Sequence, residues 1–135
     1  KIAKTEGTLA NALWNEGLAA YVSGILNKDS KLDYLLMDYS LDNNCKSKMN
    51  FLKNEFAKDI NKKLYDPNDR TSYSKWFLLS SKDQDIPLRA GYYLGYFVAK
   101  DLAEKHGLTT VVNWDYQEVQ KYLDKYFSEY KLADK

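Results

Sequence analysis

Residues 8–27 read TLANALWNEGLAAYVSGILN, and this stretch decides the fold class. Its apolar side chains recur at the three- and four-residue intervals of a helical face. Trp14, Ala20 and Tyr21 fill most of the remaining circumference, so the helix is apolar nearly all round. Because such a helix is normally covered by its neighbours, the stretch predicts a buried helix within an all-α bundle.

The rest of the chain shows the same helical spacing of apolar residues, and only two prolines and six glycines are present to interrupt helices. Apolar spacing predicts helices at 31–38, 43–65, about 76–79 and 87–106, and a last helix after Asp115. Gly107 fits a helix C-cap and Asp115 an N-cap. Residues 66–69 predict a turn and 80–85 a loop, and only 109–112 lean towards strand. We therefore expect one compact helical domain over residues 1–135.

The amino-acid composition argues against some classes of binding partner. The chain has 44% hydrophobic and 29% charged residues, which indicates a globular protein. Its 20 basic and 19 acidic residues give a net charge of +1, which offers no electrostatic case for nucleic acid or an anionic membrane. No apolar run is long enough to span a bilayer. We expect neither nucleic acid nor a membrane span.

The chain has one cysteine, Cys45, and one histidine, His106. No internal disulfide can form, and catalytic zinc usually needs three protein ligands drawn from His, Cys and carboxylates. A Cys45–His106 catalytic pair is formally possible, but no neighbouring residue supports it. His106 precedes Gly107 and is typical of a basic residue at a helix end. The chain as given is therefore not a complete hydrolase.

Two residues of the first helix need an explanation. Gly17 lies in a helix interior, where glycine costs about 1 kcal/mol relative to alanine, so a close approach of another backbone is expected. Glu16 lies in an otherwise apolar segment, and a buried carboxylate needs a cation, hydrogen-bond donors or a metal. The alternative is that Asn11, Asn15 and Glu16 form a narrow polar edge of the helix that is exposed to solvent.

Residues 14–21, WNEGLAAY, resemble the Trp-x-Asn-Glu-Gly-x-Ala-x-Tyr segment of gluzincin aminopeptidases, with one residue fewer between Trp and Asn. They also resemble the Glu-Gly-x-Ala-x-Tyr segment of bacterial zinc proteases. The resemblance implies that Glu16 is the third zinc ligand. In those families an upstream His-Glu-x-x-His helix supplies two further ligands and the general base. This sequence departs from them because it contains no such motif.

Residues 87–99, PLRAGYYLGYFVA, predict a second buried helix. Small residues line one face of it and one face of the first helix, which predicts that the two helices pack closely. These residues are Gly17, Ala20 and Gly24 on the first helix, and Gly91, Gly95 and Ala99 on the second.

Tyr92 stands three residues before Gly95, as does the oxyanion-stabilising tyrosine of gluzincin aminopeptidases. The resemblance implies that role for Tyr92, although the intervening Tyr93-Leu94 departs from the family's acidic–basic pair. A phenol suits the oxyanion-stabilising role because its hydroxyl donates a hydrogen bond without carrying charge. Alternatively, Tyr92 is a core aromatic residue with its hydroxyl at an edge. Arg89 could bind a substrate carboxylate or form a surface ion pair.

The resemblance thus implies the C-terminal helical subdomain of a zinc-dependent peptidase, and we expect the chain to be a fragment of a longer protein. Its partners would be a peptide or protein substrate and either an upstream segment or a second copy of the chain. Zinc would bind the complete protein, and we do not expect it to bind tightly to this chain alone. The sequence leaves the location of the protein open, and the resemblance slightly favours a secreted or periplasmic one. The alternative is a non-catalytic helical binding or interaction domain.

Overall fold

The structure, a computed structural model, describes residues 7–69, 71–78 and 85–132. Within these ranges the chain is helical and contains no strand, which confirms the predicted all-α class. The helices are α1 (Leu9–Leu26), α2 (Leu32–Leu35), α3 (Leu41–Cys45), a 3-10 turn (Lys46–Lys48), α4 (Met49–Asp59), α5 (Thr71–Phe77), α6 (Ala90–His106), α7 (Leu108–Val112) and α8 (Tyr116–Leu132).

The two helices predicted to be buried, α1 and α6, pack against each other along the most extensive interface of the described bundle. Helix α8 packs on α1 and α4, and α5 packs on α6. Beneath α4, α5 and α8 lies an aromatic core, in which the Phe56 ring centroid is 5.0 Å from Trp76 and 5.3 Å from Phe127. All three side chains are fully buried. Large rings therefore fill the centre of the bundle.

The N-terminus of α1 is satisfied by backbone from the segment that follows α4. The Leu9 and Ala10 amides donate to the carbonyls of Lys62 (2.9 Å) and Ile60 (3.2 Å). Helix starts carry amides without an intrahelical partner, and here another segment supplies the acceptors. The predicted single helix over 43–65 is therefore wrong at both ends. Its first residues lie in α3 and the 3-10 turn, and α4 ends at Asp59 because the following residues bond the start of α1.

Asp59 fixes this junction. Its side chain is buried and accepts hydrogen bonds from Trp76 Nε1 (2.9 Å) and Lys75 Nζ (3.0 Å). Lys62 Nζ lies 3.0 Å from its other oxygen. Burial alone would raise the pKa of the Asp59 carboxyl, but the bonds from Trp76, Lys75 and Lys62 outweigh burial and hold that pKa below its usual value. The end of α4 is thereby tied to α5.

The predicted helix caps are confirmed. Gly107 ends α6 with a φ of 91°, a left-handed conformation that favours glycine, and its amide bonds the Ala103 carbonyl at 2.8 Å. The Asp115 carboxylate accepts a hydrogen bond from the Glu118 amide at 2.8 Å, and the Glu118 carboxylate accepts one from the Asp115 amide at 3.4 Å. This is a reciprocal capping arrangement.

Several boundaries differ from the prediction. The strand-leaning residues 109–112 lie in the one-turn helix α7, where Val111 is fully buried, so packing overrides the β-branched preference. Helix α6 begins at Ala90 rather than at Pro87. Helix α5 spans 71–77, because the Asp69 carboxylate accepts the first amides. The predicted end of that helix at 79 and most of the predicted loop at 80–85 lie outside the described residues.

None of the described helices combines the length and apolarity needed to cross a bilayer.

Candidate functional site

The α1–α6 crossing positions the candidate site. A Cβ atom added to Gly17 would lie 2.0 Å from the Gly95 carbonyl oxygen, and one added to Gly95 would lie 2.6 Å from the Leu13 carbonyl oxygen. The two backbones therefore touch with no side chain between them. The predicted Gly17–Gly95 contact is confirmed, and it fixes the residues on either side of each glycine.

The other predicted small-residue contacts are different. Gly91 faces α5, where an added Cβ would lie 2.6 Å from the Phe77 ring and 2.8 Å from the Trp76 carbonyl oxygen. Gly24 faces the Leu35 side chain, 3.0 Å away by the same measure. The prediction that Gly91 joins the α1–α6 contact is therefore wrong, because α6 divides its small face between α5 and α1. On the α6 side, Gly24 faces the Tyr96 hydroxyl, 3.9 Å away by the same measure, and not one of the predicted small residues.

Glu16 lies beside this crossing, immediately before Gly17 in α1. Its side chain is exposed, whereas the adjacent Gly17 is buried. Within the described residues, the Glu16 carboxylate forms no ion pair and no hydrogen bond. Burial of α1 on all sides, as its composition predicts, is thus wrong at this face. Of the three residues predicted to form a solvent-exposed polar edge, Asn15 and Glu16 are exposed. Asn11 is instead buried, and its side-chain amide donates a hydrogen bond to Thr8 Oγ1 at 3.2 Å.

Tyr92 is half-buried on the first turn of α6. Its ring packs edge-on against Phe77 with centroids 5.5 Å apart, and the Arg89 guanidinium lies 4.5 Å from the ring centroid. Cations prefer the faces of aromatic rings within about 6 Å. Tyr92 is therefore held between an aromatic neighbour and a cation, and its ring is not part of the fully buried core.

Tyr73 is a third member of the site that sequence reasoning missed. Burial raises the pKa of the Tyr73 hydroxyl, and Tyr92 and Glu16 raise it further. The Tyr73 ring also packs on Phe77, with centroids 5.2 Å apart. Tyr73 is linked to Tyr92 through Phe77, on which both rings pack, and α5 seats Phe77 against Gly91 of α6. No local pattern in the sequence contains that contact.

Arg89 is already engaged. Its Nη1 donates to the Leu36 carbonyl at 3.1 Å and lies 3.5 Å from Asp38 Oδ2, and the side chain is mostly buried. Burial would raise the pKa of Asp38, but bonds from Ser40 and the Arg89 charge keep it below its usual value. A substrate carboxylate would have to compete with Asp38, so substrate binding by Arg89 stays a prediction.

Arg89 and Met37 are the described non-glycine residues with left-handed backbone, at φ values of 62° and 57°. Such conformations cost about 1–3 kcal/mol and concentrate at functional sites. The Arg89 side chain bonds the residues on both sides of Met37, so the two strained positions belong to one unit. This unit connects the start of α6 to the loop after α2.

The described residues do not by themselves fit a zinc site. They contain no group of three or more His, Cys, Asp or Glu side chains that could hold a metal ion. The His106 ring packs against Trp114 and Tyr122, with centroids 5.5 and 5.1 Å apart. Cys45 is buried, and burial raises the pKa of its thiol to about 12, which keeps it protonated at neutral pH. Glu16 can contribute one ligand at most.

No family model, no curated protein and no solved structure matches this chain. The resemblance of residues 14–21 to gluzincin peptidases therefore stays a prediction that rests on those residues.

Proposed function

We propose that this chain is the C-terminal helical part of a zinc-dependent peptidase, in which Glu16 contributes one metal ligand and Tyr92 an oxyanion donor. The observation that carries the proposal is the shared position of these residues at one helix crossing. Glu16 immediately precedes Gly17, and Tyr92 lies about one turn before Gly95, where the two backbones touch. The segments that resemble the peptidase family are therefore the segments in contact.

The state of the Glu16 carboxylate supports the assignment. A ligand for a divalent ion must keep its charge available, whereas a structural carboxylate is normally paired. Asp59 is the structural case in this molecule, since it is buried and bonded by Lys62, Lys75 and Trp76. Glu16 has none of these features within the described residues. Its exposed carboxylate is free to accept a cation.

Tyr92 provides the second part. A tyrosine hydroxyl can donate a hydrogen bond to the oxygen of a peptide carbonyl as negative charge develops there. The Arg89 guanidinium over the ring and Phe77 at its edge hold the ring orientation. Tyr73 packs on Phe77, the same ring that contacts Tyr92, and is a further candidate donor. These groups suit binding and polarisation of a peptide carbonyl.

The remaining ligands would come from an upstream segment, on a helix carrying two histidines. A second copy of this chain could cover the exposed face but could not supply that helix, because each copy has one histidine. The exposed face of α1 around Glu16 offers a surface for such a helix. It includes Asn15, Ala19 and Ser23, whose short side chains permit close approach. The substrate class is a peptide or protein.

The test uses the product of the complete open reading frame. Glu16→Gln should lower bound zinc, measured by elemental analysis, and abolish peptidase activity. Tyr92→Phe should leave the zinc content unchanged and lower kcat by about 100-fold, the usual effect of losing one oxyanion donor. Tyr65→Phe, at an exposed tyrosine on another segment, is the control and should change neither.

Two results would overturn the proposal: zinc content independent of Glu16, or no His-Glu-x-x-His motif in the complete reading frame. Either one favours the alternative, a non-catalytic helical binding domain in which residues 14–21 and 87–99 serve only for packing. The isolated chain should bind zinc weakly at best, because one carboxylate cannot replace two histidines. Submicromolar binding that depends on Glu16 would reveal ligands among the residues that are present.

A further inference from the structure

A groove lies between the loop after α1 and the start of α2, at the opposite end of α1 from its buried first turns. It has a volume of about 520 Å³ and is open to solvent. Tyr34 and Tyr39 line it together with Asp29, Lys31 and Asp33. We call this feature the tyrosine groove. Asn27 at its edge lies eleven residues beyond Glu16, or roughly 16 Å along the helix axis, so the groove is separate from the site described above.

The two rings are unusually open for tyrosines. Tyr34 is 67% exposed and Tyr39 is 82% exposed, so both ring faces are available to a ligand. Leu26 and Met37, which are one and two residues from Asn27 and Tyr39 in the sequence, are also largely exposed. Exposed aromatic rings with exposed aliphatic side chains nearby in the sequence suit a side chain with a long apolar stem, such as arginine or lysine.

The charges of the groove select a cation. Within the described residues, neither Asp29 nor Asp33 forms an ion pair, and Lys31 forms none either. The groove thus presents two unpaired carboxylates against one ammonium group. Arginine fits better than lysine, because its planar guanidinium stacks on tyrosine and also bonds a carboxylate through its fork of donors.

The wall that carries Tyr39 is held in place. Arg89 bonds the Leu36 carbonyl and pairs with Asp38, and the Ser40 amide and hydroxyl donate to Asp38 Oδ1 at 2.9 and 2.8 Å. Tyr39 lies between these anchored residues. Its ring is therefore an exposed platform on a fixed backbone, which lowers the entropic cost of binding.

We propose that the tyrosine groove binds an arginine side chain of an extended peptide. The guanidinium stacks on the Tyr34 or Tyr39 ring and bonds Asp33 or Asp29, and the aliphatic stem lies along the groove. The proposal does not depend on peptidase activity. It assigns this end of the molecule to peptide recognition.

The test is an NMR titration of the ¹⁵N-labelled chain with the blocked peptide Gly-Gly-Arg-Gly-Gly. Saturable shifts confined to residues 27–39 are expected, with weaker binding of the lysine peptide and no binding of the glutamine peptide. Tyr34→Ala and Asp33→Asn should each weaken binding about two- to fivefold. Tyr65→Ala is the matched control, since Tyr65 is 66% exposed but lies outside the groove, and it should have no effect.

Three outcomes would overturn the proposal. The arginine and glutamine peptides could shift the same residues equally, the shifts could fall outside residues 27–39, or no saturable shift could occur. An uncharged disaccharide that produced the arginine pattern would also overturn it, because aromatic platforms beside carboxylates can bind sugars. Because every substitution is at an exposed or half-buried residue, loss of folding would not obscure the result.

Discussion

The two halves of α1 have similar apolar sequences and different surroundings. Every buried residue of this helix lies between Leu9 and Gly17. In the half from Leu18 to Leu26 no residue is buried, and Ile25 and Leu26 are 38% and 77% exposed. An apolar sequence therefore predicted the helix correctly but predicted its burial correctly for only one half.

The difference comes from the neighbours of each half. The first half touches backbone on two sides, with the carbonyls of Ile60 and Lys62 at its start and Gly95 of α6 at Gly17. The second half meets side chains, such as the Leu35 methyl and the Tyr96 hydroxyl near Gly24. Backbone contacts cannot yield to a new group, whereas side chains can rotate away. We expect substitutions to cost far more in the first half than in the second.

The largest effect should come from Gly17→Ala. The added methyl group would meet the Gly95 carbonyl at 2.0 Å, and no side-chain rotation can relieve a clash with backbone. We expect a loss of about 3 kcal/mol or more in the free energy of unfolding, at the upper end of overpacking effects. Urea unfolding measures it. Gly24→Ala is the control and should be near neutral, because the Leu35 methyl can move and alanine favours the helix.

Leu13→Ala should cost about 3 kcal/mol, since Leu13 is fully buried and truncation leaves a cavity. Its counterpart in the second half is Leu26→Ala, where 77% exposure predicts a change below about 0.5 kcal/mol. Thermal or urea unfolding of both variants compares the halves directly. Equal losses would show that the second half is buried in solution, for example by another chain.

Asp59→Asn tests the junction that holds the start of α1. Losing the buried charge should cost about 2 kcal/mol at pH 7, less than for a fully buried pair because Lys62 is 46% exposed. The pKa of Asp59 is lowered in the folded state, so its contribution is present above the unfolded value of about 3.9 and is lost as the pH falls through the folded value. Urea unfolding from pH 7 to pH 3 should therefore show the difference from the unmodified protein shrinking below about pH 4. Asp29→Asn is the control and should show no such difference, because Asp29 is exposed and forms no ion pair in the part of the chain that the structure describes.

The smallest effect should come from Glu16→Gln, which should change the free energy of unfolding by less than about 0.5 kcal/mol because the side chain is exposed and unpaired among the described residues. The same change should lower the pKa of Tyr73 without restoring its ordinary value, because burial is the larger cause. An NMR pH titration of the Tyr73 ring measures this shift. A loss of stability above 1 kcal/mol would mean that Glu16 has a structural partner.

Local patterns predicted the parts of the fold that depend on local physics. Helical spacing located α1 and α6, and the Gly107 and Asp115 caps followed from backbone preference and side-chain chemistry. The interior position of Gly17 was enough to predict a close backbone contact. Glu16 and Tyr92 were identified by resemblance, and their proposed roles stay predictions.

The parts that sequence reasoning missed depend on distant residues. The predicted 43–65 helix does not continue beyond Asp59, because the carbonyls of residues 60 and 62 accept hydrogen bonds from the first amides of α1. Residues 109–112 are helical because Val111 is buried. Tyr73 joins the site through the packing of Phe77 on Gly91. Helical spacing describes which face of a helix is apolar but does not identify the segment that covers it.

The backbone contacts of α1 also set an order of events during synthesis. Its acceptors lie about fifty residues later in the chain and its Gly17 contact nearly eighty residues later. At roughly 5–20 residues per second, α1 leaves the ribosome several seconds before α6 exists to cover it. During that interval the most apolar of the long described helices lacks the α6 backbone that covers Gly17. Chaperones that recognise exposed apolar segments would have access to this helix until α6 is made, and slow long-range closure would limit the folding rate.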